Sequence, residues 1–149
     1  MQFLLTTEPT ATGTILLIHG SAPFNLEGRI PIPSESPYSR FAFFGNLARA
    51  LNKLGWNVAR YQKPGVSDDQ INFGQYRTTD LAVIMEQLRK IWRELPREKP
   101  RIIFGWSEGS LHALQLPLEE ADAVILLGGI STNIKEVIFS HSSLLAVIL

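Results

Sequence analysis

Four short strand-like runs, TILLIHG, WNVARY, RIIFG and ADAVILLGG, are separated from one another by stretches with helical periodicity. Between the first two, Phe41, Phe44, Leu47, Ala48, Leu51 and Leu54 recur at helical spacing, with Ser39 placed to cap the start and Gly55 to end it. Between the second and third, Leu81, Ile84, Met85, Leu88, Ile91, Trp92 and Leu95 give the cleanest 3.6-residue stripe, predicting a helix over 79–95 closed off by Pro96 and Pro100. SEGSLHALQL supplies a third helix before the last run. Strand and helix in strict alternation predict an α/β fold, a mostly parallel sheet with helices on both faces and right-handed crossovers. MQFLLTT offers a further edge strand, whose direction, parallel or antiparallel, the pattern leaves open. Ligands of such sheets bind beyond the carboxyl ends of the strands.

The first run opens into a long connection, Ser21 to Ser39, with Pro23, Pro31, Pro33 and Pro37. A segment of this length without regular structure is commonly functional or mobile, and here it is expected to shape a substrate site. KPGVSDD after the second run reads as a turn cluster. The 149 residues amount to one domain, with 45% hydrophobic and 19% charged residues in the globular range.

Fourteen basic residues balance fourteen acidic ones, so the excess positive charge that a nucleic-acid partner requires is missing. The densest basic stretch, Arg89 to Arg101, is interleaved with Glu94 and Glu98 and reads as a solvated helix face. The absence of cysteine removes disulfides and thiolate metal sites and fits a cytoplasmic setting. His19, His112 and His141 show no metal-ligand spacing, no G-x-G-x-x-G follows a strand, and no cofactor is expected. No membrane span is expected either, because the longest apolar tract, Val137 to Leu149, is broken by Ser140, His141, Ser142 and Ser143.

GWSEG, residues 105–109, satisfies G-x-S-x-G. By chance alone the pattern arises in roughly one chain of this length in twenty, so its context matters more than its presence. Here an apolar strand precedes it and a helix follows, as a nucleophile elbow requires. Gly105 and Gly109 let the turn close, Ser107 is presented as the nucleophile, and the Glu108 amide is one oxyanion donor. A second donor is expected from the loop after an earlier strand, where Ser21 or Ala22 follows His19-Gly20. His19 itself is expected to be a buried structural residue bonded to backbone.

These segments resemble the α/β-hydrolase fold, in particular its esterase and serine-aminopeptidase-like branch. HGSAPFNLEG looks like the branch's oxyanion segment, LARALNKLGWNVARYQKPGVSD like its first helix and next strand, and GWSEGS like its elbow. The resemblance runs from about Thr14 to Ile138. Ala22, Gln62, Pro64 and Ser110 depart from the usual pattern, the first and last standing where glycines are common.

The resemblance implies a serine hydrolase acting on a carboxylic ester or small amide through an acyl-enzyme at Ser107. It also implies a triad in the order serine, acid, histidine. After Ser107 only His112 and His141 remain; His112 is expected to point along its helix, and Glu136 with His141 is the one compact acid and histidine pair available. The expectation is that the triad's acid and histidine are missing from these residues, the chain being the N-terminal half of the fold, a single partial domain incomplete at the C-terminus. A half of this kind is expected to lack strands on one side of the sheet, to be open to self-association through that edge, and to leave the apolar terminus Leu144 to Leu149 without a covering element. The alternative expectation is a catalytically inactive hydrolase-like fragment or binding module.

Overall fold

The computed structural model describes residues 3–32, 37–97 and 100–128, together with the backbone of 145–148. Its strands are β1 (Phe3–Thr6), β2 (Gly13–Ile18), β3 (Trp56–Tyr61), β4 (Arg101–Trp106), β5 (Ala123–Leu127) and β6 (Leu145–Ile148). The helices are α1 (Pro37–Arg40), α2 (Phe43–Lys53), α3 (Phe73–Thr78), α4 (Leu81–Glu94) and α5 (Glu108–Ala113), with a 3-10 turn at Leu118–Glu120. The strands form one mixed sheet in the order β1-β3-β2-β4-β5-β6. Pairing is parallel from β3 through β5 and antiparallel at the two edges, β1 against β3 and β6 against β5. This is the α/β class that the alternation predicts, and the further edge strand is present as β1, which runs antiparallel to β3.

The strand period of two sorts the core into two layers. Ile15 and Leu17 of β2 turn with Val58 of β3 toward Phe44 and Ala48 of α2. Leu16 and Ile18 turn with Ala59, Tyr61 and Ile103 to the opposite face, under Met85, Leu88, Ile91 and Trp92 of α4 and Ala113 of α5. Every residue of β2 is buried, as a central strand covered on both faces must be. Each fully buried leucine or isoleucine here contributes roughly 1.5–3 kcal/mol. Helix caps follow the local chemistry: the Asp80 carboxylate accepts from the Ala82 amide at the start of α4, and the Asn72 side chain accepts from Gln75 at the start of α3. Gly55, at φ +81°, ends α2 in the left-handed conformation that glycine favours.

Several expectations need correction. The helix expected from Phe41 starts at Phe43, because Ala42, at φ −81° and ψ 73°, lies outside the helical region, and Ser39 lies within the short α1 instead of capping α2. Phe41 and Leu54, counted in the apolar stripe, are exposed. The helix expected over 79–95 is two residues shorter at its start and ends at Glu94, and SEGSLHALQL holds only a six-residue helix. Helix α3 falls within a stretch given no regular structure by the sequence pattern. The connection after β2 is not an open loop at its beginning. Phe24, Asn25 and Leu26 are buried, the Asn25 carboxamide accepts from the Glu27 and Arg29 amides, and Glu27 pairs with the buried Arg60 at 2.6 Å.

Arg101 does not belong to a solvated helix face. It opens β4, is buried, stacks over Trp92 at 3.7 Å and donates to the Trp92 carbonyl, with Glu120 3.4 Å away. The apolar terminus contributes β6, whose backbone pairs along β5, so the edge of the sheet on that side is β6.

Candidate functional site

The parallel strands β2, β3 and β4 end side by side, and the chain leaves each in a different way. After β4 the backbone reverses at Ser107, with φ 54° and ψ −124°. Among the described residues it is the one non-glycine residue at positive φ. A side chain in that conformation costs on the order of 1–3 kcal/mol and persists only where the surroundings over-determine it. They do so here. The Ser107 amide donates to the Leu127 carbonyl at 2.8 Å, and the Ser107 carbonyl accepts from the Ser110 amide at 2.9 Å.

The two flanking glycines are explained by space. A Cβ on Gly105 would meet the Gly109 carbonyl oxygen at 2.6 Å and the Ser110 Cα at 2.7 Å. One on Gly109 would meet the carbonyl oxygens of Ile18 and His19 at 2.4 and 2.5 Å. Their absence lets α5 settle directly onto the ends of β2 and β4. Ser110 is buried and donates its hydroxyl to the Gly105 carbonyl at 3.0 Å, which adds a bond across the turn.

The segment after β2 is brought to the same place. A Cβ on Gly20 would lie 3.1 Å from Ser107 Cβ and 3.6 Å from its Oγ. Gly20, Ser21, Ala22 and Ser107 line a cleft of about 160 Å³ whose remaining walls are the rings of Phe24, Tyr38 and Trp106. Phe24 and Trp106 lie 5.1 Å apart between centroids, and Tyr38 is 6.0 Å from the first and 6.2 Å from the second. The structure thus gathers Ser107, Gly105, Gly109, Glu108 and Ser21 at one end of the sheet. The amide of Glu108 opens α5, where no preceding turn offers a carbonyl, and neither it nor the Ser21 amide meets a loop or turn carbonyl among the described residues.

No hydrogen bond involves Ser107 Oγ among the described residues. His19 is fully buried, donates from Nε2 to the Tyr61 carbonyl at 2.8 Å and stacks on Phe44 at 4.5 Å. Burial, with the Lys63 and Arg60 charges adding to it, lowers its pKa to about 3 against the Tyr61 bond, so the ring is neutral. It is the structural histidine that the sequence suggests. His112 is also buried and titrates below its usual range, for burial outweighs the attraction of Glu108. It lines a second, larger cavity of about 400 Å³ with Lys63, Tyr76, Arg77, Leu81 and Glu108. Glu136 and His141 lie outside the described residues.

The residues that sequence reasoning missed are on this second cavity. Lys63 follows β3 and has a 3% exposed side chain, yet carries a charge. Its ammonium donates to the Gly20 carbonyl and lies 3.7 Å from the Glu108 carboxylate. Burial lowers its pKa to about 8, an effect that Glu108 partly offsets, so Lys63 is mostly protonated at neutral pH. Tyr76, on α3, donates its hydroxyl to the Ser21 carbonyl. A signal existed in the lysine of QKPG, whose position two residues past an apolar strand is unusual for a residue that prefers solvent.

Among the described residues no cluster of three or more histidine, aspartate or glutamate side chains is placed to hold a metal, and no helix is long and apolar enough to cross a membrane. Compared with protein-family models, with curated proteins and with solved structures, the chain finds no match.

Proposed function

We propose that this chain is a serine hydrolase of the α/β-hydrolase type, acting on a small carboxylic ester or amide. Ser107 Oγ attacks the carbonyl carbon, the Oγ–C bond forms, and the negative charge passes to the carbonyl oxygen, held by the amides of Glu108 and Ser21. Collapse of this intermediate breaks the bond to the alcohol or amine, which leaves with a proton, and water then releases the acid from the acyl-enzyme. The observation that carries this reading is the backbone of Ser107, bent to φ 54° at a strand-to-helix junction between two glycines at which an added Cβ would meet backbone atoms closer than 3 Å.

The base is not supplied by His19, whose ring is committed to Tyr61, nor by His112, on the wall of the second cavity. The reading therefore requires a proton acceptor from outside the described residues, where Glu136 and His141 fall. A cytoplasmic enzyme with a small-molecule substrate, without nucleic acid or membrane as partner, completes it on the sequence arguments above. Self-association uses a sheet edge, β1 or β6.

The Ser107 hydroxyl, without a hydrogen bond among the described residues, favours one other reading, a folded module with no acyl transfer. Incubation of the full chain with a fluorophosphonate probe separates the two. The hydrolase reading expects labelling that Ser107→Ala abolishes with the fold intact; a folded chain that stays unlabelled leaves the binding module standing.

A further inference from the structure

The Gly20–Ser21 peptide stands between the two cavities, and Ser21 lines both. On the cleft side, Gly20 lies against Ser107. On the other side, two side chains hold successive carbonyls of the loop: the Lys63 ammonium takes that of Gly20, and the Tyr76 hydroxyl takes that of Ser21. A trans peptide carries its C=O and N–H on opposite sides, and none of the described peptides is cis. A carbonyl drawn toward the larger cavity therefore turns the N–H of the same peptide away from it, toward the cleft.

We infer that Lys63 and Tyr76 are positioning residues for the oxyanion site, a clamp that turns the Ser21 and Ala22 amides toward Ser107 by holding the carbonyls behind them. The inference rests on the hydrolase reading of Ser107 and deepens it.

Lys63 is the stronger member. An ammonium donor makes a hydrogen bond roughly twice as strong as a neutral one, and a lysine this buried is costly unless its partners compensate. Its second partner, Glu108, is the residue whose own amide is the other proposed donor. One side chain thus ties the loop bearing the first donor to the helix bearing the second and fixes their separation. Arginine can span the same partners, whereas methionine fills the space without a charge or a donor.

The test uses the full chain with Lys63→Met, Lys63→Arg and Tyr76→Phe, each checked for fold by circular dichroism. Fluorophosphonate labelling is resolved into the inactivation rate, kinact, and the probe's binding constant, KI, and the backbone amides are followed by NMR. Removing an oxyanion donor costs about 100-fold or more, so misaiming one should lower kinact about tenfold in Lys63→Met with KI unchanged. Lys63→Arg should recover most of it. Tyr76→Phe should show a smaller fall, about threefold, and the Ser21 and Ala22 amide resonances should move while those within β2 stay.

An unchanged kinact in a folded Lys63→Met, or a change in KI alone, overturns the clamp. If Lys63→Met does not fold, Tyr76→Phe decides, since it removes a single hydroxyl: unaltered kinact and unaltered Ser21 and Ala22 resonances overturn the inference. A wild-type chain that never labels overturns the hydrolase reading instead. The clamp then stands or falls on whether those two amides respond in the variants.

Discussion

The middle of the sheet and the rim at its carboxyl end are both buried, but by different chemistry. In the middle, Leu16, Ile103 and Leu88 belong to one apolar cluster, which is held chiefly by side-chain packing. At the rim, His19, Lys63 and Ser110 are buried polar groups, each bonded to a backbone carbonyl: that of Tyr61, of Gly20 and of Gly105. Contacts there are backbone to backbone, close enough that Gly105 and Gly109 exclude even a methyl group. The middle supplies stability through area, which many residue combinations can provide. The rim holds specific atoms in specific directions, and its substitutions should act on geometry before they act on stability.

The largest expected effects set the two regions against each other. Leu88→Ala opens a cavity under α4 and should lower stability by about 3 kcal/mol, within the usual span for a buried leucine, while folded molecules keep the wild-type rate of probe labelling. Gly109→Ala adds one methyl group 2.4 Å from the Ile18 carbonyl oxygen and should cost about 2 kcal/mol. Its labelling, though, should fall far more than its stability, because α5 must lift away from β2 and carry Ser107 and Glu108 with it. Denaturant melts and labelling rates measured on both proteins check this. If Gly109→Ala labels at the wild-type rate, the distinction between middle and rim is lost.

A smaller effect separates the rim by pH. The folded-state pKa of His19 is about 3 and that of His112 also lies below the usual 6.5, in each case chiefly through burial. The unfolded chain therefore binds protons that the folded chain refuses. The contribution of the neutral rings is fully present above pH 6.5 and is lost as pH falls, at up to about 1.4 kcal/mol per pH unit for each histidine. Glu27 is held below its ordinary 4.5, with Arg60 and Arg49 overcoming the effect of burial, so it adds to the loss only in stronger acid. Urea midpoints between pH 6.5 and 5 should accordingly decline, and His19→Gln should remove part of the slope. A flat profile would mean that both rings already accept protons in the fold.

The middle was the legible part. Alternation of apolar runs and helical stripes located β2 through β5, α2 and α4, because burial on a periodic backbone leaves a periodic trace. The elbow was legible as well, since GWSEG carries its own spacing, and His19 was read as structural from its position at a strand end. Of Lys63 the sequence showed only its place just past a strand; what it and Tyr76 bond was not legible, because those carbonyls belong to residues 43 and 55 positions earlier, and backbone partners leave no mark in a sequence. Arg101 misled for a related reason, as its charge is absorbed by Glu120 and by the Trp92 ring and carbonyl, groups brought together only by the fold. Phe41 and Leu54 fit the helical period yet are exposed, which period alone cannot reveal.

The smallest expected effect has the opposite sign. Ser107 is held at φ 54° and ψ −124°, a conformation that glycine accepts without a Cβ penalty, so Ser107→Gly should relieve strain in the folded state. Against this, glycine gives the unfolded chain more freedom to lose, a cost of the same order but smaller. The net expectation is a gain of about 1 kcal/mol in a urea melt, together with complete loss of probe labelling. Ser107→Ala removes the same hydroxyl but keeps the Cβ, so it should lose labelling without the gain. The pair separates strain in the turn from the chemistry of the oxygen. If glycine is no more stable than alanine at this position, the reversal is relaxed, and the strongest physical reason for singling out this serine from the others in the chain disappears.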